Sequence, residues 1–262
     1  PKAIALNSIQ FNLTQMVGPM ISAPVMAFGG ATLAFGLNGL SFFAVVFSLY
    51  MIRATFIPKK TGESVLEGLK QGFSYVKSRG ALWQLSVLGF ISTFCAIPIR
   101  TLLPVFAKDV FHLTEQGFSY MVAVSGAGAV LGAIIYAGLP HDRRQVGLTL
   151  KVQAALAVLL GVFALSTSIV VSFIVLFLTG MSIMILFASI TSLVQLGTTE
   201  EMRGRTMSIF MLAFRGGMPL GGLVIGTLAE QFTPQHALFG AGIVLGLSAI
   251  MVQLFGTGIK RL

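Results

Sequence analysis

Two arginines, Arg100 and Arg215, interrupt long apolar runs and are the first residues to weigh for chemistry. A charge held at such depth is costly unless it pairs, reaches water or meets a ligand. Arg100 follows Pro98, precedes Pro104 and lies near the end of its run. It reads either as a contact for an anion or substrate or as a side chain snorkelling to an interface. Arg215 lies about three turns into its run, and reads either as facing an interior path or as a snorkelling or paired structural charge. Uncharged polar residues repeat the theme: Asn12 and Gln15, then Gln84, Ser92 and Thr93, then Ser189, Thr191, Ser192 and Gln195. Each could line an aqueous substrate path, and each alone also fits an interhelical hydrogen bond worth under about 1–2 kcal/mol.

Enzyme chemistry is absent from the pattern. There is no His-Glu-x-x-His, no Gly-rich phosphate loop closed by Lys, and no Cys-x-x-Cys. His112, His141 and His236 stand in separate polar breaks, and the single Cys95 excludes an internal disulfide framework. The expectation is a non-enzyme with no catalytic residue, no metal and no cofactor. Glycines and prolines inside the apolar runs, among them Gly18, Pro19, Gly128, Gly132, Gly217, Pro219 and Gly221, read as close helix packing. No Asp or Glu lies deep in any run; Glu230 stands only at an edge.

Charged residues concentrate in two short breaks. Asp142, Arg143 and Arg144 form one cluster; Glu200 and Glu201 with Arg203 and Arg205 form the other. Charges of both signs between helix pairs can lock one conformation of a rocking bundle, or can simply be solvated turns.

What positions these residues is a set of hydrophobic spans. Of the 262 residues 55% are hydrophobic and 10% charged, and mean hydropathy is +0.91. A soluble domain of this size needs more polar surface. The apolar residues come in blocks of about 20, as bilayer-crossing helices require: residues 7–27, 32–52, 82–107, 117–139, 146–166, 169–193, 206–229 and 237–256. Alternating ten-residue segments of a membrane barrel are absent. With the first residue on the cytoplasmic side, 17 Lys and Arg distribute so that only Lys108 falls opposite, while Arg100 and Arg215 stay in spans. That bias predicts both ends in the cytoplasm and explains the net charge of +9 without nucleic acid.

Residues 58–80 are the longest polar stretch, and Leu66, Leu69, Phe73 and Val76 recur at three- and four-residue spacing. The spacing predicts an amphipathic helix on the membrane surface. Ser8, Ile9 and Pro19 match Ser208, Ile209 and Pro219 at a constant offset of 200. Such a repeat implies a six-span unit, of which the chain holds the last two spans of one copy and all of a second. An opening Pro-Lys rather than Met fits an N-terminally truncated fragment.

Gly138-Leu139-Pro140-His141-Asp142-Arg143-Arg144 matches the G-x-x-x-D-R-[KR] core of the cytoplasmic loop motif of the major facilitator superfamily, without its Gly-Arg-Arg continuation. The segment from Pro1 to Pro19 is similar to the fifth helix of its drug- and siderophore-exporter branch. That branch takes in enterobactin exporter-like and macrolide efflux-like proteins and the transmembrane secretion effector family. Leu102 to Ala107 resembles the end of that branch's seventh helix. Met202-Arg203-Gly204-Arg205, Met211 to Phe214 and Pro219-Leu220-Gly221 resemble its tenth loop and eleventh helix. Arg215 departs from the small or apolar residue expected there.

The resemblance implies an all-α integral membrane protein with a major-facilitator-type bundle, about eight of twelve transmembrane helices being present. Residues 1–57 would close the first six-helix bundle, 58–80 would link, and 81–262 would form the second bundle. It places Arg100 on a helix lining the cavity. The implied function is a secondary active transporter exporting small drug-like compounds or siderophores by alternating access, with proton antiport supplying energy. Its partners would be a small-molecule substrate, protons and the bilayer, in a monomer of the bacterial-type inner membrane. A lipid or lysophospholipid flippase of the same fold, or a non-transporting scaffold or receptor, are the alternatives.

Overall fold

The computed structural model describes residues 25, 29–51, 65–139, 145–256 and 258. Among these the chain is helical throughout, since a backbone at membrane depth must satisfy its own hydrogen bonds. Helix α1 covers Gly29–Met51, α2 Val65–Ser78, α3 Gly80–Ala96, α4 Pro98–Val105, α5 Glu115–Ala137, α6 Gln145–Leu165, α7 Ile169–Leu196, α8 Arg203–Gln231 and α9 Pro234–Phe255. With α3, α4 and the turn that follows counted as one stretch, seven segments are long and apolar enough to cross a membrane. The eighth expected span, 7–27, lies outside the described residues apart from Val25. Helix α1 has none of its apolar window buried and exposes Phe35, Phe42, Phe43 and Tyr50.

The described core lies mostly in the helices from α3 to α9, which pack as three close pairs, with Val76 of α2 joining it. Helices α3 and α8 run parallel. A Cβ on Gly217 would run into the Phe90 carbonyl and the Thr93 hydroxyl, and one on Gly221 into the Phe94 carbonyl. Helices α5 and α7 are held the same way: Gly128 lies on the Phe177 carbonyl, Gly132 on that of Met181 and Gly180 on that of Ser125. Small residues four apart let backbones meet where lipid offers no hydrophobic drive for association. Helices α6 and α9 run antiparallel, with Gly242 against the Ala157 carbonyl. Gln153 of α6 also donates through Nε2 to Ser248 Oγ of α9 at 2.7 Å.

Prolines set the shape of the longest stretch. Pro98 has no N–H for the Phe94 carbonyl, and α3 gives way to α4 at Ile97. A π turn over Phe106–Val110 follows, with the Phe111 N–H donating to the Phe106 carbonyl at 2.9 Å. The extra residue brings Phe106 and Phe111 together on Phe163 of α6, with ring centroids 4.9 and 6.3 Å from it. His112, with φ of 50°, ends the turn in the left-handed region.

Helix α2 is present where the polar stretch predicts an amphipathic helix. It docks on the start of α8: a Cβ on Gly72 would stand 3.2 Å from the Arg205 carbonyl, and Arg205 donates to Gln71. Tyr75 Oη is 3.3 Å from Thr199 Oγ1 in the break before α8. Val76 is fully buried, whereas Leu69 and Phe73 remain exposed.

Candidate substrate cleft

Helices α7 and α8 belong to different close pairs, and a cleft of about 340 Å³ opens between them. Helix α7 contributes Met184, Ala188 and Thr191, and α8 contributes Met211, Arg215 and Met218. On both helices the spacing is three or four residues, which keeps each set on one face. Phe187 and Phe214 complete the lining, edge to face with centroids 4.8 Å apart. Phe214 in turn lies 5.4 Å from the fully buried Phe210. A Cβ on Gly89 of α3 would stand 3.0 Å from the Phe210 ring, so glycine there makes room for the aromatic wall.

Arg215 is exposed in this cleft and has no hydrogen-bond or ion-pair partner among the described residues. It stands 12 residues into α8 (203 to 215), about 18 Å along the helix axis. That is near the middle of a hydrocarbon layer about 30 Å thick, where a cation facing lipid is costly. Thr191 donates its hydroxyl to the Phe187 carbonyl at 2.8 Å, and its oxygen lone pairs stay open to the cleft. Soft thioethers, one hydroxyl and one guanidinium therefore share a single concave surface.

The other polar residues singled out above are placed differently. Thr93 is fully buried beneath Gly217, with its hydroxyl on the Gly89 and Phe90 carbonyls of its own helix. Ser189 is fully buried and does not line the cleft. Gln84 and Gln195 are half-buried at helix ends, and Arg100 is exposed on α4. Asn12, Gln15, Gly18, Pro19, Asp142, Arg143 and Arg144 lie outside the described residues. Of the remaining loop charges, Glu201 is exposed, Arg203 is 3.9 Å from Glu200, and Arg205 reaches Gln71 of α2. Pro219 is exposed on α8, while Gly217 and Gly221 are buried beneath it. Among the described residues no group of three metal-binding side chains occurs.

Reading the sequence alone misses the three cleft methionines and Gly180. Their types carry no signal apart from position: Met is an ordinary apolar residue until its face is known.

Two further cavities of about 400 Å³ lie on the flanks. One, between α6 and α9, is lined by Gly161, Gly242, Gly246 and apolar side chains alone. The other lies where α3, α8 and α9 meet, with His236 at its edge. Thr233 caps α9, its Oγ1 accepting from the backbone N–H of His236 at 3.2 Å.

The family model described as transmembrane secretion effector matches residues 1–257. Enterobactin exporters from Shigella boydii serotype 18, Escherichia coli O81 and Escherichia fergusonii are each 24% identical over 260 residues. The match covers 99% of this chain and 62% of each relative, so the chain spans under two thirds of their length. No solved structure matches.

Proposed function

The chain belongs to the transmembrane secretion effector family, and on that premise we propose that it is part of a secondary transporter exporting small amphipathic molecules. It is a multi-pass helical membrane protein of major-facilitator type and a transporter component rather than an enzyme. Drug-like compounds and siderophores are the proposed cargo, the latter because the relatives export enterobactin. The cleft between α7 and α8 is the observation that carries the reading. It joins a membrane-depth arginine to soft apolar walls at a seam between tightly interlocked helix pairs.

That construction supports a reading of alternating access. Helix pairs locked backbone to backbone move as bodies, and a seam held by side chains is where they part. We place the protein in the inner membrane with its Lys- and Arg-rich ends and loops facing the cytoplasm. Residues 1–57 then close the first bundle, α2 belongs to the linker at 58–80, and 81–262 make the second. Proton antiport requires a carboxylate that binds and releases a proton within the membrane. None of the eight apolar runs carries one, so antiport would draw on a carboxylate outside them. The flank cavity between α6 and α9 could hold an acyl chain but offers no polar group for a lipid head, which leaves the flippase reading the weaker one.

The test is retention of a hydrophobic dye and secretion of a siderophore in cells with and without the full-length transporter. Lower retention and higher secretion are expected with it. Equal levels in both strains for every cargo would sink the reading.

A further inference from the structure

We infer that Arg215 turns the cleft between α7 and α8 into an anion subsite, selecting flat amphipathic molecules that carry a carboxylate or similar anion. The inference rests on the transporter reading above and concerns the same cleft. Arg215 is exposed into a cavity of about 340 Å³, a size that fits small ligands. Its charge is not offset locally. Glu230, the one carboxylate of α8, stands at the helix end 15 residues on (215 to 230), about 22 Å along the axis. Helix α7 has no charged residue at all. A guanidinium presents a planar fork that matches a carboxylate. Met184, Met211 and Met218 surround it with adaptable, polarisable walls suited to an aromatic body. A cation of equal size meets the same walls but is repelled by Arg215, so charge sign becomes the discriminating property.

Three probes of one shape separate charge from size: 1-naphthoate, its uncharged amide 1-naphthamide, and 1-naphthylmethylammonium. Binding of each is measured by equilibrium dialysis on the full-length transporter in nanodiscs. The expected order is naphthoate tightest, naphthamide roughly tenfold weaker, and the ammonium weakest. Arg215→Gln should bring naphthoate down to the naphthamide level and leave naphthamide within about twofold. Arg215→Lys should restore part of the preference. Arg215→Met keeps the apolar volume and serves if the glutamine variant does not fold. An unchanged naphthoate-to-naphthamide ratio in the variants overturns the inference. So does an equal loss of both ligands, which would mark Arg215 as a structural partner of a carboxylate elsewhere in the transporter. Arg215-dependent binding with no efflux of any cargo would keep the subsite and reject the transport reading instead.

Discussion

The hydroxyl of Tyr136, at the end of α5, donates to Oε1 of Gln145, at the start of α6, across 3.2 Å. The same Oη lies 3.3 Å from the Ala188 carbonyl of α7. One buried phenol thus joins three helices at one end of the bundle, beside the break that carries Asp142, Arg143 and Arg144.

Tyr136→Phe should remove this junction while keeping the ring. Interhelical hydrogen bonds of this kind are worth under about 1–2 kcal/mol in membranes, so the melting temperature of the purified transporter should fall by about 2–4 °C. A double-mutant cycle with Gln145→Leu checks the pairing: the two losses should not add. Simple additivity would show that the two side chains act independently.

Backbone contact between α5 and α7 leaves no room for side chains. Gly128→Leu would push four heavy atoms into the Phe177 carbonyl, and the same holds for Gly217→Leu against Phe90. Overpacking typically costs about 1–3 kcal/mol, and more where only backbone can yield. Both variants should give little folded protein by size-exclusion chromatography. Gly222→Leu on α8, where a Cβ meets nothing within 4 Å, is the control and should behave as wild type.

Gln153 marks a buried contact whose replacement should be close to neutral. Its Nε2 donates to Ser248 and, at 3.3 Å, to the Leu245 carbonyl, but its buried Oε1 has no hydrogen-bond partner. Ser248 keeps its own bond to the Leu245 carbonyl at 2.7 Å without Gln153. Replacing a half-satisfied amide by an apolar side chain of similar size removes a buried polar cost along with the bond. Gln153→Leu should therefore change thermal stability by less than about 1 kcal/mol, read as a melting shift within about 4 °C. A large loss would show that Oε1 has a partner in the full-length protein.

How much of this was legible from residue order follows from what each feature depends on. Span ends agree with the helices to within a few residues, 169–193 against Ile169–Leu196 for instance, because bilayer thickness fixes length. Gly128 and Gly132 announce their packing role through their spacing, and Gly217 and Gly221 do the same. Facing is another matter. A span apolar all round has no moment to show which side meets a neighbour, so Thr93 and Ser189 read as path residues although both are buried in helix packing. Arg215 stands out because charge is rare at that depth; its methionine neighbours do not, because α7 and α8 bring them together from about 30 positions apart. The π turn at Phe106–Val110 left no mark in composition either.

The docking of α2 on α8 offers the last prediction. Arg205 donates to Gln71 and Tyr75 reaches Thr199. These are exposed contacts, each worth under about 1 kcal/mol, so they register α2 on α8 more than they stabilise it. Because α8 also carries Arg215, a linker helix held at its start would resist any tilt of the cleft wall. Gly72→Cys with Arg205→Cys should form a disulfide under mild oxidation, since a Cβ on Gly72 would stand 3.3 Å from that of Arg205, close to the spacing of about 3.8 Å that a disulfide takes. Efflux should fall severalfold when the bond forms and recover on reduction, with the single-cysteine variants unaffected. Full activity of the cross-linked protein would show that α8 keeps its place against α2 throughout the cycle, and that the seam opens by movement of α7 instead.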